Sequence, residues 1–216
     1  MLATIKKTVQ NNFDCISLKI GKNELMAKRF VGRKGTSILF VVDASGSMGV
    51  EELMSKTKGI IFNLLKDAYI KRERVGMITF RGTEANVILP LTRSVTVAKQ
   101  KLKDIKTGGK TPLSMALKKA IEEVERENKK FKDNEKIIMF FTDGRANISI
   151  TNCDPFDEAI FFAEKIAEMD VKTFVVDTDP TWISYPYAKD LAKKMNAKYY
   201  KLEDVLKRNI REFIYK

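Results

Sequence analysis

Oxygen-bearing side chains follow directly after an apolar run near residue 40. Residues 38–42 are wholly apolar and rich in β-branched and aromatic types, which predicts a strand buried on both faces. Asp43, Ser45 and Ser47 then stand at alternate positions. Glycines within and after this triplet let the backbone turn tightly, and a helical pattern follows. The stretch therefore predicts a strand, a loop with one carboxylate and two hydroxyls, and a helix.

Oxygen ligands of this kind suit a hard divalent cation. Mg²⁺ prefers near-octahedral oxygen coordination and retains several waters, so it needs few charges from the protein, and Mn²⁺ accepts the same donors. Asp43 with two serines is half of such a site. The alternative is that these side chains only cap the helix that follows, and this loop alone leaves both interpretations open.

Two further loops carry matching oxygen donors. Residues 107–112 read Thr-Gly-Gly-Lys-Thr-Pro, and the proline with a threonine before it predicts a helix start. Residues 136–142 predict another buried strand, which an aspartate follows. Because the carboxyl ends of parallel strands meet at one edge of a sheet, we expect the three loops to converge. Together they supply the candidate metal ligands Asp43, Ser45, Ser47, Thr111 and Asp143.

Alternating strand and helix patterns position these loops. Strands are predicted at 38–42, 75–80, 86–89, 136–142, 171–176 and 198–202, and helices at 51–70, 95–105, 113–127, 154–169, 187–195 and 205–215. The expected fold class is α/β, with a doubly wound, mostly parallel six-stranded sheet and helices on both faces. The strand at 86–89, closed by Pro90, is predicted as an antiparallel edge strand. Residues 1–35 are predicted as an N-terminal extension and residues 36–216 as the domain.

The composition excludes several kinds of chemistry. The 216 residues include no histidine, which excludes Ser-His-Asp and Cys-His catalysis and histidine-based zinc sites. Cys15 and Cys153 are far apart and do not suggest a disulfide framework. No apolar run is long enough to cross a bilayer, and the first residues lack the apolar core of a signal peptide. We therefore expect a cytoplasmic protein.

The formal net charge is +12, and a charge of this sign favours acidic partners. The basic residues are mixed with Asp and Glu and lack interleaved aromatic residues. A solvated, lysine-rich surface is therefore the preferred interpretation, and nucleic acid is not the expected partner. Salt-sensitive RNA binding would instead indicate an RNA–protein scaffold.

The five candidate ligands resemble the metal-ion-dependent adhesion site of von Willebrand factor A domains, a D-x-S-x-S motif with a distant Thr and Asp. The resemblance implies that the serines and the threonine bind magnesium directly and that the aspartates often bind it through water. It also implies one open coordination position, which a partner's carboxylate fills. Two aspartates roughly neutralise the ion, and a shell of neutral hydroxyls leaves it electrophilic enough to bind that external carboxylate.

Further motifs, over about residues 31–202, resemble the C-terminal A domain of the magnesium-chelatase D subunit. They include Lys58-Gly59, Asp67-Ala68-Tyr69, Phe80-Arg81-Gly82, Thr92-Arg93-Ser94 and Thr142-Asp143-Gly144-Arg145-Ala146-Asn147. The resemblance implies a stand-alone chelatase-type subunit that works with an AAA+ ATPase in inserting a metal into a tetrapyrrole. Because the AAA+-like domain and acidic linker of that subunit are not found in this sequence, we expect the chain to bind a separate AAA+ protein.

Besides the RNA–protein scaffold, three interpretations compete with this function. The first is an A domain of the same kind with an unrelated protein partner. The second is a metal-assisted phosphatase with Asp43 as nucleophile, but haloacid-dehalogenase enzymes need a second aspartate where Ser45 stands. The third is a phosphate-binding loop at Gly109-Lys110-Thr111, but Asp104 occupies the position of its first glycine and a helix, not a strand, precedes it. We expect the isolated chain to be non-catalytic and to hydrolyse no ATP.

Overall fold

The structure is a computed structural model, and it describes residues 35–46, 50–179 and 186–207. Nearly all of the predicted N-terminal extension, the candidate ligand Ser47 and the far end of the predicted helix at 205–215 lie outside the described residues. The division of the chain at residues 35 and 36 therefore stays a prediction.

The strands of the described residues form one six-stranded sheet in the order β3-β2-β1-β4-β5-β6. Their bounds are β1 Thr36–Asp43, β2 Arg74–Arg81, β3 Glu84–Thr92, β4 Glu135–Thr142, β5 Lys172–Asp177 and β6 Lys198–Lys201. β3 runs antiparallel to β2 at one edge, and the other neighbouring strands are parallel. The predicted α/β class, with a mostly parallel sheet and one antiparallel edge strand, is confirmed.

Helices cover both faces of this sheet. Their bounds are α1 Val50–Lys71, α2 Val95–Lys103, α3 Leu113–Lys130, α4 Pro155–Ala167, α5 Tyr187–Lys194 and α6 Leu202–Lys207. Helices α1, α2 and α6 pack on one face, and α3, α4 and α5 on the other. Among the helices that the structure describes, none is both long and apolar enough to span a membrane.

The central strand β1 is buried on both faces, as its apolar run predicts. Residues 38–42 are each at most 1% exposed, and alternate side chains enter the two hydrophobic cores because successive strand residues point to opposite faces. Each such side chain stabilises the fold by roughly 1.5–3 kcal/mol. The strand that ends at Asp43 is thus anchored by its own core residues.

The edge strand β3 differs from the prediction that Pro90 closes it. The strand continues to Thr92, and its pairing with β2 jumps from Leu89 opposite Met77 to Thr92 opposite Val75. The extra residue makes a bulge that contains the proline. An edge strand tolerates proline at such a point because the missing N–H removes no ladder hydrogen bond.

Helix starts follow one prediction and depart from another. The Asp154 side chain accepts hydrogen bonds from the backbone N–H groups of Phe156 and Asp157 and caps α4, with a proline in the first turn. At α3, however, Pro112 itself occupies the capping position and no side chain caps the helix. The helix begins at Leu113, where its predicted range begins. The expected roles of Thr111 as the cap and Pro112 as the first helical residue are wrong, because the Thr111 hydroxyl is bonded elsewhere.

Candidate metal site

The candidate site begins where β1 ends. The backbone N–H of Ser45 donates to Asp43 Oδ1 over 2.9 Å, and the Thr142 hydroxyl, at the end of β4, donates to Asp43 Oδ2 over 3.0 Å. Both carboxylate oxygens are therefore oriented by neighbours from two adjacent strands. The Thr142 hydroxyl also accepts a hydrogen bond from the N–H of Gly144 over 3.1 Å, so it joins the first loop to the third.

The loop that carries Thr111 lies against the loop after β1. The N–H of Gly108 donates to the Ala44 carbonyl over 2.8 Å, and the N–H of Gly46 donates to the Gly109 carbonyl over 3.2 Å. The Thr111 hydroxyl donates to Ser45 Oγ over 2.8 Å, although the two residues are 66 positions apart. Two predicted ligands from different loops are thus in direct contact.

The third loop binds the second through a pair of hydrogen bonds. Asn147 Oδ1 accepts from the Thr111 N–H over 2.6 Å, and the Asn147 N–H donates to the Thr111 carbonyl over 3.2 Å. Asp143 opens this loop, and its Oδ1 accepts from the Arg145 N–H over 2.9 Å. Asn147 therefore positions Thr111, while Asp143 remains a carboxylate beside the same cluster.

Burial and neighbouring charges govern the pKa values of the two carboxyl groups. Desolvation raises the pKa of Asp43 from 3.8 to about 7; the charge of Asp143 adds to this rise, and hydrogen bonds from Ser45 and Thr142 oppose it. Desolvation also raises the pKa of Asp143, against the N–H and the charge of Arg145. The charge of Asp143 thus acts on Asp43, which is consistent with two carboxylates from different loops around one point.

Arg145 lies at the rim of the cluster between two acidic side chains. Its guanidinium is 3.5 Å from Asp143 Oδ2 and 3.5 Å from Asp179 Oδ2, and its side chain is half exposed. Asp179 itself is held through its N–H, which donates to Asp177 Oδ1 over 2.9 Å. The arginine therefore compensates part of the charge of Asp143 and leaves Asp43 with hydrogen-bond donors alone among the described residues.

The donor set fits a hard divalent cation. Asp43 and Asp143 offer carboxylate oxygens, and Ser45 and Thr111 offer hydroxyl oxygens, which are the ligand types that Mg²⁺ and Mn²⁺ prefer. The described residues contain no group of three or more His, Cys, Asp and Glu side chains arranged to hold a metal. Hydroxyl ligands are therefore essential to any site here. Ser47, the fifth predicted ligand, lies outside the described residues.

Two residues of the cluster were missed from the sequence, Thr142 and Asn147. Both lie in the segment 142–147, and the position of Thr142 at the end of a buried strand, directly before Asp143, was the available signal. Their roles depend on hydrogen bonds to Asp43 and Thr111. Such partners become visible only once β1 and β4 are paired in register.

The same contacts bear on the alternative chemistries. A phosphate-binding loop points its backbone N–H groups at the phosphates, whereas the N–H groups of Gly108 and Thr111 donate to protein oxygens. The geometry therefore favours a ligand site over a phosphate-binding loop.

Comparison with known proteins supplies independent information. Residues 38–145 match the family model described as von Willebrand factor type A domain. An uncharacterized protein of Methanocaldococcus jannaschii is 39% identical over 164 residues, which cover 76% of this chain and 94% of that protein. The magnesium-chelatase 67 kDa subunit of Chlorobaculum tepidum is 36% identical over 197 residues, which cover 86% of this chain and 32% of the subunit.

A solved structure supports the fold assignment. The VWA domain of SpRpn10 matches with a TM-score of 0.56 and 16% identity, over 80% of this chain and 95% of that domain. At this identity the likeness concerns the fold alone. The sequence relatives carry the more specific information, although the chain spans only about a third of the length of the chelatase subunit.

Proposed function

The chain belongs to the von Willebrand factor type A domain family, and from this membership we propose that it is a metal-dependent protein-binding module of the chelatase type. In this proposal Asp43, Ser45, Ser47, Thr111 and Asp143 hold Mg²⁺, or Mn²⁺ in its place. A carboxylate of a partner protein completes the coordination.

The hydrogen bond between Thr111 Oγ1 and Ser45 Oγ, 2.8 Å long, carries this proposal. It supports a common site for donors from two loops, next to a carboxylate that has no ion-pair partner among the described residues. Hydroxyl oxygens can bind a cation while their protons remain donated elsewhere. A divalent cation would compensate the charge of Asp43, which hydrogen bonds alone do not neutralise.

Each residue has a distinct task in the proposed site. Ser45 and Thr111 supply neutral oxygens, while Asp43 and Asp143 supply negative charge. Thr142 and Asn147 act behind them, because they orient Asp43 and Thr111 respectively. A bound divalent cation would supply a positively charged centre at the loops of residues 43–46 and 107–111, to which a carboxylate of the partner would bind.

The proposed partner is an AAA+ ATPase that acts with a metal-inserting chelatase. The relationship to magnesium-chelatase subunits of 67 kDa supports this class of partner. Nearly all of the archaeal relative corresponds to this chain. This supports the proposal that such a module exists as a separate protein. In this function the chain binds and positions a partner and does not catalyse the chemical step.

Affinity capture from an extract of the source cell tests the proposal. The wild-type chain, Asp43→Asn and the control Asp133→Asn are immobilised and washed with Mg²⁺ or with EDTA. Asp133 is exposed and precedes the amino end of β4, whereas Asp143 follows its carboxyl end. We expect mass spectrometry to identify an AAA+ ATPase with the wild type and the control in Mg²⁺. We expect its loss in EDTA and with Asp43→Asn.

The same experiment separates the second candidate function, a von Willebrand factor type A module with an unrelated partner. The match of residues 38–145 to the general family model favours that broader function. Metal-dependent capture of a protein that is not an AAA+ ATPase would support it. Equal capture in Mg²⁺ and EDTA would contradict a metal-dependent module of either kind.

A further inference from the structure

A groove of about 410 Å³ lies between the end of α2 and the sheet face formed by β2 and β3. Its walls include Arg81 at the end of β2, and Lys101 and Lys106 in and after α2. Ile88 of β3 and Ile105 after α2 line it with apolar side chains. A volume of this size is typical of pockets that bind ligands, which range over about 300–1,000 Å³.

The charges that line this groove are mostly positive and unpaired. Arg81, Lys101 and Lys106 are exposed, and none of them forms an ion pair with a carboxylate of the described residues. Asp104 is the one acidic side chain among the described lining residues. Desolvation lowers the pKa of Lys58 in α1, and the negative charge of Asp104 partly opposes this effect, so part of this charge is directed at α1. The groove therefore offers an excess of cations to a ligand.

The basic groove lies next to the loops of the candidate metal site. Asp43 pairs in register with Phe80, directly before Arg81, and the Ala44 N–H donates to the Phe80 carbonyl over 3.0 Å. On the other wall, Lys106 lies two residues before Gly108, whose N–H donates to Ala44. Neighbouring strands are about 4.8 Å apart, so a ligand can extend from one region to the other.

We propose that this basic groove binds an acidic peptide segment of the partner protein. One carboxylate of that segment would complete the metal site, and neighbouring Asp or Glu side chains would lie beside Arg81, Lys101 and Lys106. The inference rests on the proposed function and deepens it, because it gives the partner a sequence character: a metal-binding carboxylate with further acidic residues next to it.

The lining favours a peptide over a nucleic acid. Single-stranded nucleic acids bind on aromatic side chains that stack with their bases, and the described lining residues include no aromatic side chain. Ile88 and Ile105 instead offer apolar contact to the aliphatic parts of a peptide, and the cations match its carboxylates. Acidic residues beside a metal-bound carboxylate would meet three unpaired positive charges, which raises affinity and association rate.

Two fluorescent peptides test this inference on the full chain. The first is a short Gly/Ser peptide with one central Asp, and the second has Glu residues on both sides of that Asp. Fluorescence anisotropy measures their affinities with Mn²⁺ and with EDTA, and proton relaxation measures Mn²⁺ binding itself. The groove variant is Arg81→Gln/Lys106→Gln, and the charge-matched control is Lys118→Gln/Lys132→Gln, whose exposed lysines lie outside the groove.

We expect the wild type with Mn²⁺ to bind the Glu-flanked peptide about tenfold more tightly than the single-Asp peptide. The groove variant should lose most of this preference, and its affinity for the single-Asp peptide should change by no more than about twofold because exposed charges interact weakly at a distance. The control variant should keep the preference. Circular dichroism verifies that the variants are folded.

Three results would overturn the inference. In the first, the groove variant keeps the preference for the Glu-flanked peptide. In the second, the control variant loses that preference to the same extent, which would attribute it to the overall charge of the protein. Alternatively, an oligouridine competitor binds more tightly than the Glu-flanked peptide and loses affinity in the groove variant, which would assign the groove to nucleic acid. Failure of the proposed metal site can be told apart from failure of the groove. Without a metal site, Mn²⁺ binding would be absent, but the wild type in EDTA would still bind the Glu-flanked peptide more tightly than the single-Asp peptide, by a smaller factor.

Discussion

At the scale of single residues, Thr111 connects all three loops of the candidate site. Its hydroxyl donates to Ser45 Oγ, its N–H donates to Asn147 Oδ1, and its carbonyl accepts from the Asn147 N–H. The side chain is only 6% exposed, so solvent contributes little to its orientation. A hydroxyl held in this way keeps lone pairs for a cation, and the side chain is not available to cap α3.

The Thr111 hydroxyl gives the first prediction. Thr111→Val replaces the oxygen with a methyl group of similar size, and we expect Mn²⁺ affinity to fall by about tenfold to a hundredfold, as for other lost or misplaced ligand groups. Thr111→Ser keeps the hydroxyl and should stay within about threefold of the wild type. Electron paramagnetic resonance of free Mn²⁺ measures both. Unchanged Mn²⁺ affinity in the valine variant would remove Thr111 from the proposed ligand set.

The sequence predicts which oxygen-bearing side chains lie near one another in the cluster better than it predicts the residues that hydrogen-bond to them. Ser45 and Thr111 were expected at one edge because strand ends converge, and they are in contact. The contacts of Thr142 and Asn147 could not be predicted, because each depends on the register and reach of a loop. All five residues, Asp43, Ser45, Ser47, Thr111 and Asp143, stay proposed metal ligands.

At the scale of elements, Gly144 is required by the way the loop after β4 passes α5. Its φ of 79° lies in the left-handed region, and a Cβ atom there would be 2.6 Å from the Ala188 Cα, closer than real Cβ contacts. Backbone atoms of α5 cannot yield as the end of a side chain can. The absence of a side chain at Gly144 therefore allows the loop that begins at Asp143 to pack against α5.

Two glycine variants form a matched pair for this point. Gly144→Ala should lower the free energy of unfolding by roughly 2–3 kcal/mol, through backbone strain together with the clash against α5. Gly59→Ala should raise it by about 0.5–1 kcal/mol, because Gly59 is an exposed helical residue with no atom within 4 Å of an added Cβ. Urea unfolding measures both changes. A neutral Gly144→Ala would show that α5 can move away.

Glu158 of α4 binds the loop that precedes this helix, and its ionisation predicts a pH-dependent stability. Its carboxylate accepts from the Ile150 N–H over 2.7 Å and from the Thr151 hydroxyl over 2.7 Å. Burial opposes ionisation, but the hydrogen bonds outweigh it and lower the pKa of Glu158 below the usual 4.5. A lowered folded pKa contributes stability above pH 4.5 that is lost as the pH falls through the folded value.

Glu158→Gln should therefore be less stable than the wild type by about 1 kcal/mol at neutral pH, because the amide accepts fewer of these hydrogen bonds. The difference should shrink as the pH falls below 4.5, since the wild-type carboxyl then becomes neutral as well. The exposed Glu125→Gln serves as control and should show no such trend. Urea unfolding over this pH range measures the effect, and a constant difference would assign it to packing.

Element boundaries show where prediction from sequence stops. Strongly apolar runs placed β1 and β4 correctly because burial alone determines them. Pro90 did not end β3, because the edge of a sheet and a bulge tolerate it. The start of α3 at Leu113 was placed correctly, but its cap was not, because the Thr111 hydroxyl bonds a serine from another strand end. In both cases the tertiary surroundings overrode a local signal.

At the scale of the whole molecule, the two ends of the sheet differ in chemistry. At the amino end, Glu127 of α3 accepts hydrogen bonds from Arg74 Nε over 2.6 Å and from Ser37 Oγ over 2.7 Å, so a buried carboxylate is fully compensated. At the carboxyl end, Asp43 meets another carboxylate and no cation among the described residues. The first end stabilises the fold, and the second leaves a buried carboxylate without a cation, as the proposed metal site requires.

This asymmetry means that the metal should add stability to a domain that folds without it. The cores on both faces of β1 supply the folding energy, and a cation that binds only the folded state adds about 2.7 kcal/mol at a hundred times its dissociation constant. For a domain of this size that is a rise in Tm of roughly 5–10 °C. Calorimetry of the wild type with increasing Mn²⁺ measures this rise.

Asp43→Asn should keep the fold and lose that response. Without metal we expect its Tm to equal or exceed that of the wild type, because the amide can still bond Ser45 and Thr142 while repulsion from Asp143 disappears. With Mn²⁺ its Tm should stay constant, whereas Asp133→Asn should behave as the wild type does. A variant that melts far below the wild type without metal, yet still gains stability from Mn²⁺, would make Asp43 a structural residue and move the cation elsewhere.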